Sequence, residues 1–192
     1  MEAERVAFIL KETEALLEGH FILTSGRHSN QYMQCAKILQ YPEYAEEMGK
    51  GIADLYADEN IDVVIGPATG GIILAYEVAR LLKARNLFAE REAGKMVLRR
   101  GFTLPKDARV LVVEDVITTG GTVQEVIDLV NSLNGHVVGV AVLVDRGMGV
   151  VDFGVPHKSL YTSKVISWSP DECPLCKEGK TPAVKPGSRG LR

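Results

Sequence analysis

"VLVVEDVITTGGTVQEVIDLV", residues 110–130, is the stretch on which the fold turns. Its first four residues are apolar at every position, not at every second one. That is the pattern of a strand covered on both faces, as in a parallel sheet. Val123, Val126, Ile127, Val130 and Leu133 then recur at helical spacing, and Gly135 supplies a stop. Between strand and helix stand two adjacent acids, Glu114 and Asp115, followed by Val116, Ile117 and the turn "TTGGT". Gly120 and Gly121 let the backbone take positive φ and aim several N–H groups at one point. The start of the helix adds a partial positive charge, and Thr118, Thr119 and Thr122 add hydroxyl donors. Such a turn cradles a phosphate.

Two carboxylates beside a phosphate repel it unless something lies between. A ribose 5-phosphate fits, with its phosphate in the glycine turn and its 2′ and 3′ hydroxyls donating to Asp115 and Glu114. The plainer alternative is a strand-to-helix turn with solvated acids, and it leaves the conjunction of acids, threonines and glycines unexplained. Neither G-x-x-x-x-G-K-[ST] nor G-x-G-x-x-G occurs in the chain.

Working outward, the same alternation repeats. Residues 2–18 read as an amphipathic helix through Val6, Ile9, Leu10, Leu16 and Leu17. A second helix starts at Pro42. "IDVVIG" is a short apolar strand ending in "PATGG", followed by helical periodicity. "LFAEREAGKMVLRRGF" reads as two strands around a charged turn, and "HVVGVAVLVDRG" as a further apolar strand. The chain is therefore α/β, with a central parallel sheet flanked by helices. In such sheets ligands bind beyond the carboxyl ends of the strands. Three of these ends carry unusual residues: 66–71, 114–122 and 145–146.

The 192 residues suit one domain, and a composition 46% apolar and 24% charged is that of an ordinary globular chain. A net charge of −3 gives no overall attraction to nucleic acid or anionic lipid. No apolar run approaches membrane-spanning length, and the acidic N-terminus lacks the features of a secretory signal. Three cysteines, Cys35, Cys173 and Cys176, are too few for a disulfide framework, which makes a cytoplasmic setting the expectation.

"VLVVEDVITTGGT" resembles the phosphoribosyl pyrophosphate (PRPP) motif of the type I phosphoribosyltransferases. "FILTSGRHSNQYMQC" is similar to the N-terminal hood of the orotate phosphoribosyltransferases, and "DVVIGPATGGIILAYEVAR" to their pyrophosphate loop. "REAGKMVLRRGF", "VDRG" and the tail "CPLC…KPGSR" resemble one bacterial and archaeal branch. The resemblance covers nearly the whole chain. It implies a single phosphoribosyltransferase domain over residues 1–170, with the hood mainly at 18–40 and the core at 41–170, a flexible loop, and an extended tail at 171–192.

The implied reaction joins orotate to PRPP, giving orotidine 5′-monophosphate and pyrophosphate in UMP biosynthesis, with Mg²⁺ as cofactor. Glu114, Asp115, Val116, Ile117, Thr118, Thr119, Gly120, Gly121 and Thr122 should hold the ribose 5-phosphate. Ala68, Thr69, Gly70 and Gly71 should present amides to pyrophosphate. Thr118 and Arg146 should bind orotate, a guanidinium suiting a planar carboxylate. Arg91, Lys95, Arg99 and Arg100 are the concentrated cations for the leaving group. Glu114, Asp115, Lys95 and Arg100 are the expected catalytic groups. The resemblance also implies a homodimer sharing the flexible loop across its interface. Where related enzymes often carry lysine, this chain has Thr24 and Gly70, and its loop is shorter.

Plainer readings stand beside these: Arg146 as a surface arginine paired to Asp145, and the loop cations as solvated charges. Within the same fold, a purine-base phosphoribosyltransferase and a PRPP-sensing regulator are the alternatives. Arg146 and the hood speak against the first, and the net charge and absent helix-turn-helix against the second. No protein metal ligands are expected, with Mg²⁺ held mainly by substrate oxygens. "CPLC" lies in a Pro-rich tail with no second Cys/His pair nearby in sequence.

Overall fold

A computed structural model describes residues 1–23, 25–147, 150–163 and 166–186. The chain opens with α1 (Ala3–Glu12), then a hairpin of β1 (Leu16–Ile22) and β2 (His28–Met33). A short α2 (Ala36–Leu39) leads into α3 (Pro42–Leu55). The core follows as β3 (Val63–Pro67), α4 (Gly70–Leu82), β4 (Arg85–Glu92) and β5 (Lys95–Leu98). It continues as β6 (Arg109–Ile117), α5 (Gly121–Ser132), β7 (His136–Asp145) and β8 (His157–Thr162). β9 (Ser167–Trp168) and α6 (Pro174–Glu178) complete the described elements.

The main sheet has six strands in the order β5-β4-β3-β6-β7-β8. Every pairing is parallel except β4 with β5. Successive residues of β6 face opposite sides. Leu111 and Val113 join the cluster built with Ile9, Met48, Ile52, Leu74 and Val78 of α1, α3 and α4. Val110 and Val112 join Val123, Val126, Ile127 and Val130 of α5 on the other face. Helices on both faces explain why the strand is apolar at every position, since each fully buried Val or Leu contributes roughly 1.5–3 kcal/mol.

The first helix is shorter than its periodicity suggests. It ends at Glu12, and Glu14 turns the chain with φ 51°. Leu16 and Leu17 then belong to β1 and not to a helix running to residue 18. Short apolar runs fit either period, and here pairing with β2 decides. β1, β2 and β9 form a second, antiparallel sheet, the hood. Its first two strands lie within the expected 18–40 region with a slightly earlier start, whereas β9 arrives from far along the chain. The charged hairpin is as expected: Ala93 and Gly94 both have positive φ, 48° and 85°, as a tight two-residue turn requires.

Candidate active site

Both acids sit at the carboxyl end of β6. The Asp115 amide donates to Glu114 Oε1 at 3.1 Å, and the Val116 amide donates to Asp115 Oδ1 at 2.8 Å. Glu114 is buried and Asp115 half-buried. Burial pushes the Glu114 carboxyl well above the usual carboxylate range, and Asp115 beside it adds to the rise. Burial also raises Asp115. Packing thus holds two oxygen acceptors at a site where each favours a proton, a hydroxyl donor or a cation.

The turn after them is built as its residues suggest. Gly120 takes φ 76°, and a methyl there would lie 2.7 Å from the Phe153 ring. Thr118, Thr119, Gly121 and Thr122 are exposed. No side chain caps α5, which leaves its first amides open to an anion. Glu114 and residues 116–123 line a cavity of about 290 Å³ together with Glu125.

Two further cavities adjoin this cradle. One, of about 570 Å³, shares Glu114 and Thr122 with it and is walled by Ala68, Thr69, Gly70 and Asp115. The Gly70–Gly71 turn rests on the acids themselves: a methyl at Gly70 would meet Asp115, and one at Gly71 would lie 3.3 Å from Glu114 Oε1. The other, of about 360 Å³, shares Thr118 and Thr119 with the cradle and is lined by Ser25, Arg27, Tyr32 and Arg146. Arg146 follows β7 at its carboxyl end. Its Nε is buried and has no hydrogen-bond partner among the described residues. Burial lowers its affinity for a proton, and Tyr32 and Cys35 partly offset this.

No ion pair joins Arg146 to Asp145 among the described residues. The Asp145 carboxylate accepts from the Gly147 amide at 2.6 Å and lies 4.0 Å from His157 Nε2. Arg146 lines the cavity, and a guanidinium with hydrogen-bonding capacity left over suits a planar carboxylate.

The residues expected to bind PRPP and base from residues 68–71, 114–122 and 146 therefore come together at three strand ends. Of the loop cations, Arg91 reaches the rim of the cradle through Glu125, and the others lie away from it in this conformation. Arg100 donates twice to Glu90 at 2.8 Å, Arg91 pairs with Glu125 at 2.8 Å, and Arg99 lies 3.4 Å from Glu92. Lys95 lies in a groove with Glu125 and Asp128 on the outer face of α5. Each cation has acids as near neighbours in sequence or across the hairpin, and this is why a count of charge alone overstates what is free for a ligand.

Sequence reasoning missed Tyr32 and gave Arg27 no part of its own. Arg27 donates to Ser167 Oγ at 2.9 Å and to Ser167 O at 2.6 Å, tying β2 to β9 beside the cavity. Thr24 lies outside the described residues. The expectation that no second Cys/His pair stands near "CPLC" is overturned. His20 and His28 of the hood reach Cys173 and Cys176, all four donor atoms lying within 4.8 Å of one another. The sequence separation of more than 140 residues hid a contact made by the folded hood. The tail also carries a helical turn, α6, and Val184 pairs with Phe21.

Glycine turn, paired acids and parallel sheet define a phosphoribosyltransferase. A family model for the phosphoribosyl transferase domain matches residues 34–153, and the chain belongs to that family. It is 57% identical over 191 residues to the orotate phosphoribosyltransferase of Caldanaerobacter subterraneus subsp. tengcongensis, with 100% of both chains covered. To the orotate phosphoribosyltransferase of Thermotoga maritima it is 54% identical over 184 residues, covering 96% of this chain and 98% of that one. The crystal structure of the Aeropyrum pernix orotate phosphoribosyltransferase matches with a TM-score of 0.72 at 30% identity, over 83% of this chain and 94% of that chain. An adenine phosphoribosyltransferase from Thermoanaerobacter pseudethanolicus shares the fold alone, with a TM-score of 0.61 at 18% identity over 69% of this chain and 88% of that chain.

Proposed function

We propose that the chain transfers the 5-phosphoribosyl group from PRPP to orotate, releasing pyrophosphate and forming orotidine 5′-monophosphate for pyrimidine biosynthesis. The observation that carries the choice of base is the Arg146 guanidinium, which lines a cavity sharing Thr118 and Thr119 with the phosphate cradle and whose Nε no described residue uses. A neutral purine offers that guanidinium no carboxylate. The curated relatives named above are orotate enzymes over the full length of the chain.

In this reading the bond from the ribose C1 to pyrophosphate breaks, and a bond to the orotate ring nitrogen forms. The amides and hydroxyls of residues 118–122 hold the 5-phosphate. Glu114 and Asp115 accept from the ribose hydroxyls and stabilise the positive charge that develops at C1. Residues 68–71 face the pyrophosphate, and Arg146 with Thr118 orients the base. Mg²⁺ would be held mainly by substrate oxygens, next to the hard oxygen atoms of Glu114 and Asp115. When bound, Mg²⁺ neutralises charge on the leaving group.

Two exposed apolar side chains on α4, Ile73 and Tyr76, support a homodimer with its interface beside the site. Ile73 also borders the cavity walled by residues 68–70. Arg91, Arg99 and Arg100, each beside an acid of its own chain in this conformation, fit a hairpin that acts on the partner's site when it moves. No described helix is long and apolar enough to cross a membrane, and three free cysteines favour the cytoplasm.

The test is pyrophosphate release from PRPP with orotate, uracil, adenine and hypoxanthine in parallel. Release with orotate alone is expected. Release with adenine or hypoxanthine and none with orotate would overturn the reading.

A further inference from the structure

Four potential ligands from distant parts of the chain converge on one face of the hood. His20 lies in β1, at the irregular register between Glu18 and Phe21. His28 opens β2, opposite Ile22. Cys173 and Cys176 bracket the first turn of α6, and their Cys-x-x-Cys spacing points both thiols toward the imidazoles. His20, His28 and Cys173 are buried, at 2%, 8% and 0% exposure. Cys176 closes the cluster from the solvent side.

The donor atoms are close enough to share one ion, all within 4.8 Å of one another. His20 Nε2 and His28 Nδ1 lie 2.9 Å apart. Cys173 Sγ is 3.4 Å from His20 Nε2, and Cys176 Sγ is 3.6 Å from His20 Nε2 and 3.3 Å from His28 Nδ1. Around zinc, with its usual bond lengths, ligand pairs stand about 3.3 Å apart for two nitrogens and about 3.6 Å for nitrogen and sulfur. The far ring nitrogen is also fixed: His20 Nδ1 lies 2.9 Å from the Thr181 carbonyl and donates to it, which leaves Nε2 with its lone pair directed into the cluster. A disulfide would consume both thiols and leave two imidazoles facing each other with no shared partner.

We propose that His20, His28, Cys173 and Cys176 bind a structural zinc ion that clamps the C-terminal tail onto the hood. Two thiolates and two neutral imidazoles suit a borderline-soft tetrahedral ion and balance its charge. Four protein ligands leave no open position, so the ion holds structure and performs no chemistry. The hood needs such a fastening. Its third strand, β9, has two residues, and among the described residues the tail adds the bridge of Val184 to Phe21, the amide bonds around it and the Thr181 carbonyl on His20. Small sheets with little core are commonly stapled by metals. His28 immediately follows Arg27, so the same ion steadies the wall of the cavity that Arg146 faces.

The full chain, purified without chelators, should carry about one zinc per chain by mass spectrometry of its metals. Exchange with cobalt(II) should give the visible bands of a tetrahedral site with two sulfur ligands. Cys176→Ala, at the most exposed position of the four, should lose stoichiometric metal. Because a variant can simply misfold, the wild-type protein is also treated with a thiol-directed mercurial. Zinc release should track the titration of two thiols, and protease cleavage in residues 171–186 should accelerate once the metal is gone. Metal below about a tenth per chain after expression in zinc-supplemented medium would overturn the proposal. So would iron in place of zinc, a Cys173–Cys176 disulfide, or cleavage that ignores metal removal.

Discussion

Gly70 lies directly against the carboxylate of Asp115: a methyl built on its Cα would stand 2.5 Å from Oδ2 and 2.7 Å from Cγ. Asp115 cannot step aside freely, because its Oδ1 already accepts from the Val116 amide. The glycine is therefore a steric requirement of the acid's position in this chain. Gly70→Ala should displace the carboxylate and lower kcat/KM with PRPP on the order of 10²-fold, since small misplacements at a reacting centre have effects of that size. Steady-state kinetics checks it, and an unchanged kcat/KM would mean that the turn yields and the acid does not.

Arg146→Ala removes the half-buried guanidinium that lines the cavity beside Thr118 and Thr119. The Michaelis constant for orotate should rise far more than that for PRPP, corresponding to about 2–4 kcal/mol. Equal changes in both constants would assign Arg146 a structural role.

Ligand-free stability should fall as pH rises, through Glu114. Its folded-state carboxyl is raised above the unfolded value, so the folded state holds the proton more tightly. Stability is then fully present below the unfolded value of about 4.3 and declines as pH climbs toward and through the folded one. Glu114→Gln removes that decline. The variant should melt above wild type at pH 8, with the gap closing toward pH 4. A gap that widens on acidification would contradict the assignment.

The Tyr56 hydroxyl donates to the Val140 carbonyl at 2.7 Å, and its ring occupies the space left by Gly139, where a methyl would lie 2.5 Å away. Tyr56→Phe keeps the ring and loses the bond. We expect a loss of about 1 kcal/mol, or roughly 2–4 °C in Tm, with turnover unaffected. Thermal melts and the release assay together separate this structural role from a catalytic one.

Sharing of the hairpin between subunits is tested by complementation. Lys95→Ala with Arg100→Ala gives one inactive homodimer and Asp115→Asn another. After subunit exchange about half the dimers are mixed, and one of their two sites is whole if the hairpin crosses the interface. Recovery of roughly a quarter of wild-type activity is expected from two-fold geometry. Exchange without recovery would place the hairpin on its own subunit.

The core and the cradle were legible in the sequence because both are local patterns. The apolar run of β6 and the "TTGGT" turn each declare themselves within a dozen residues. What stayed hidden depends on chain partners far apart in sequence. Leu16 and Leu17 are strand because β2 pairs with them. β8 and β9 are short strands whose partners, β7 and β2, define them. Arg91 looks free until Glu125 of α5 is placed beside it. His20 and His28 acquire meaning only when α6 folds back across the hood.

The two halves of recognition rest on different parts of the chain. In the proposed reading sugar and phosphates meet the ends of β3 and β6 with the turns that follow, whereas the cavity proposed for the base takes its walls from the hood and from the residue after β7. Thr118 and Thr119 are the seam between them. A lineage could thus exchange one acceptor for another by rewriting the hood and position 146, leaving the donor machinery intact. Divergence of such enzymes should accumulate on one side of that seam.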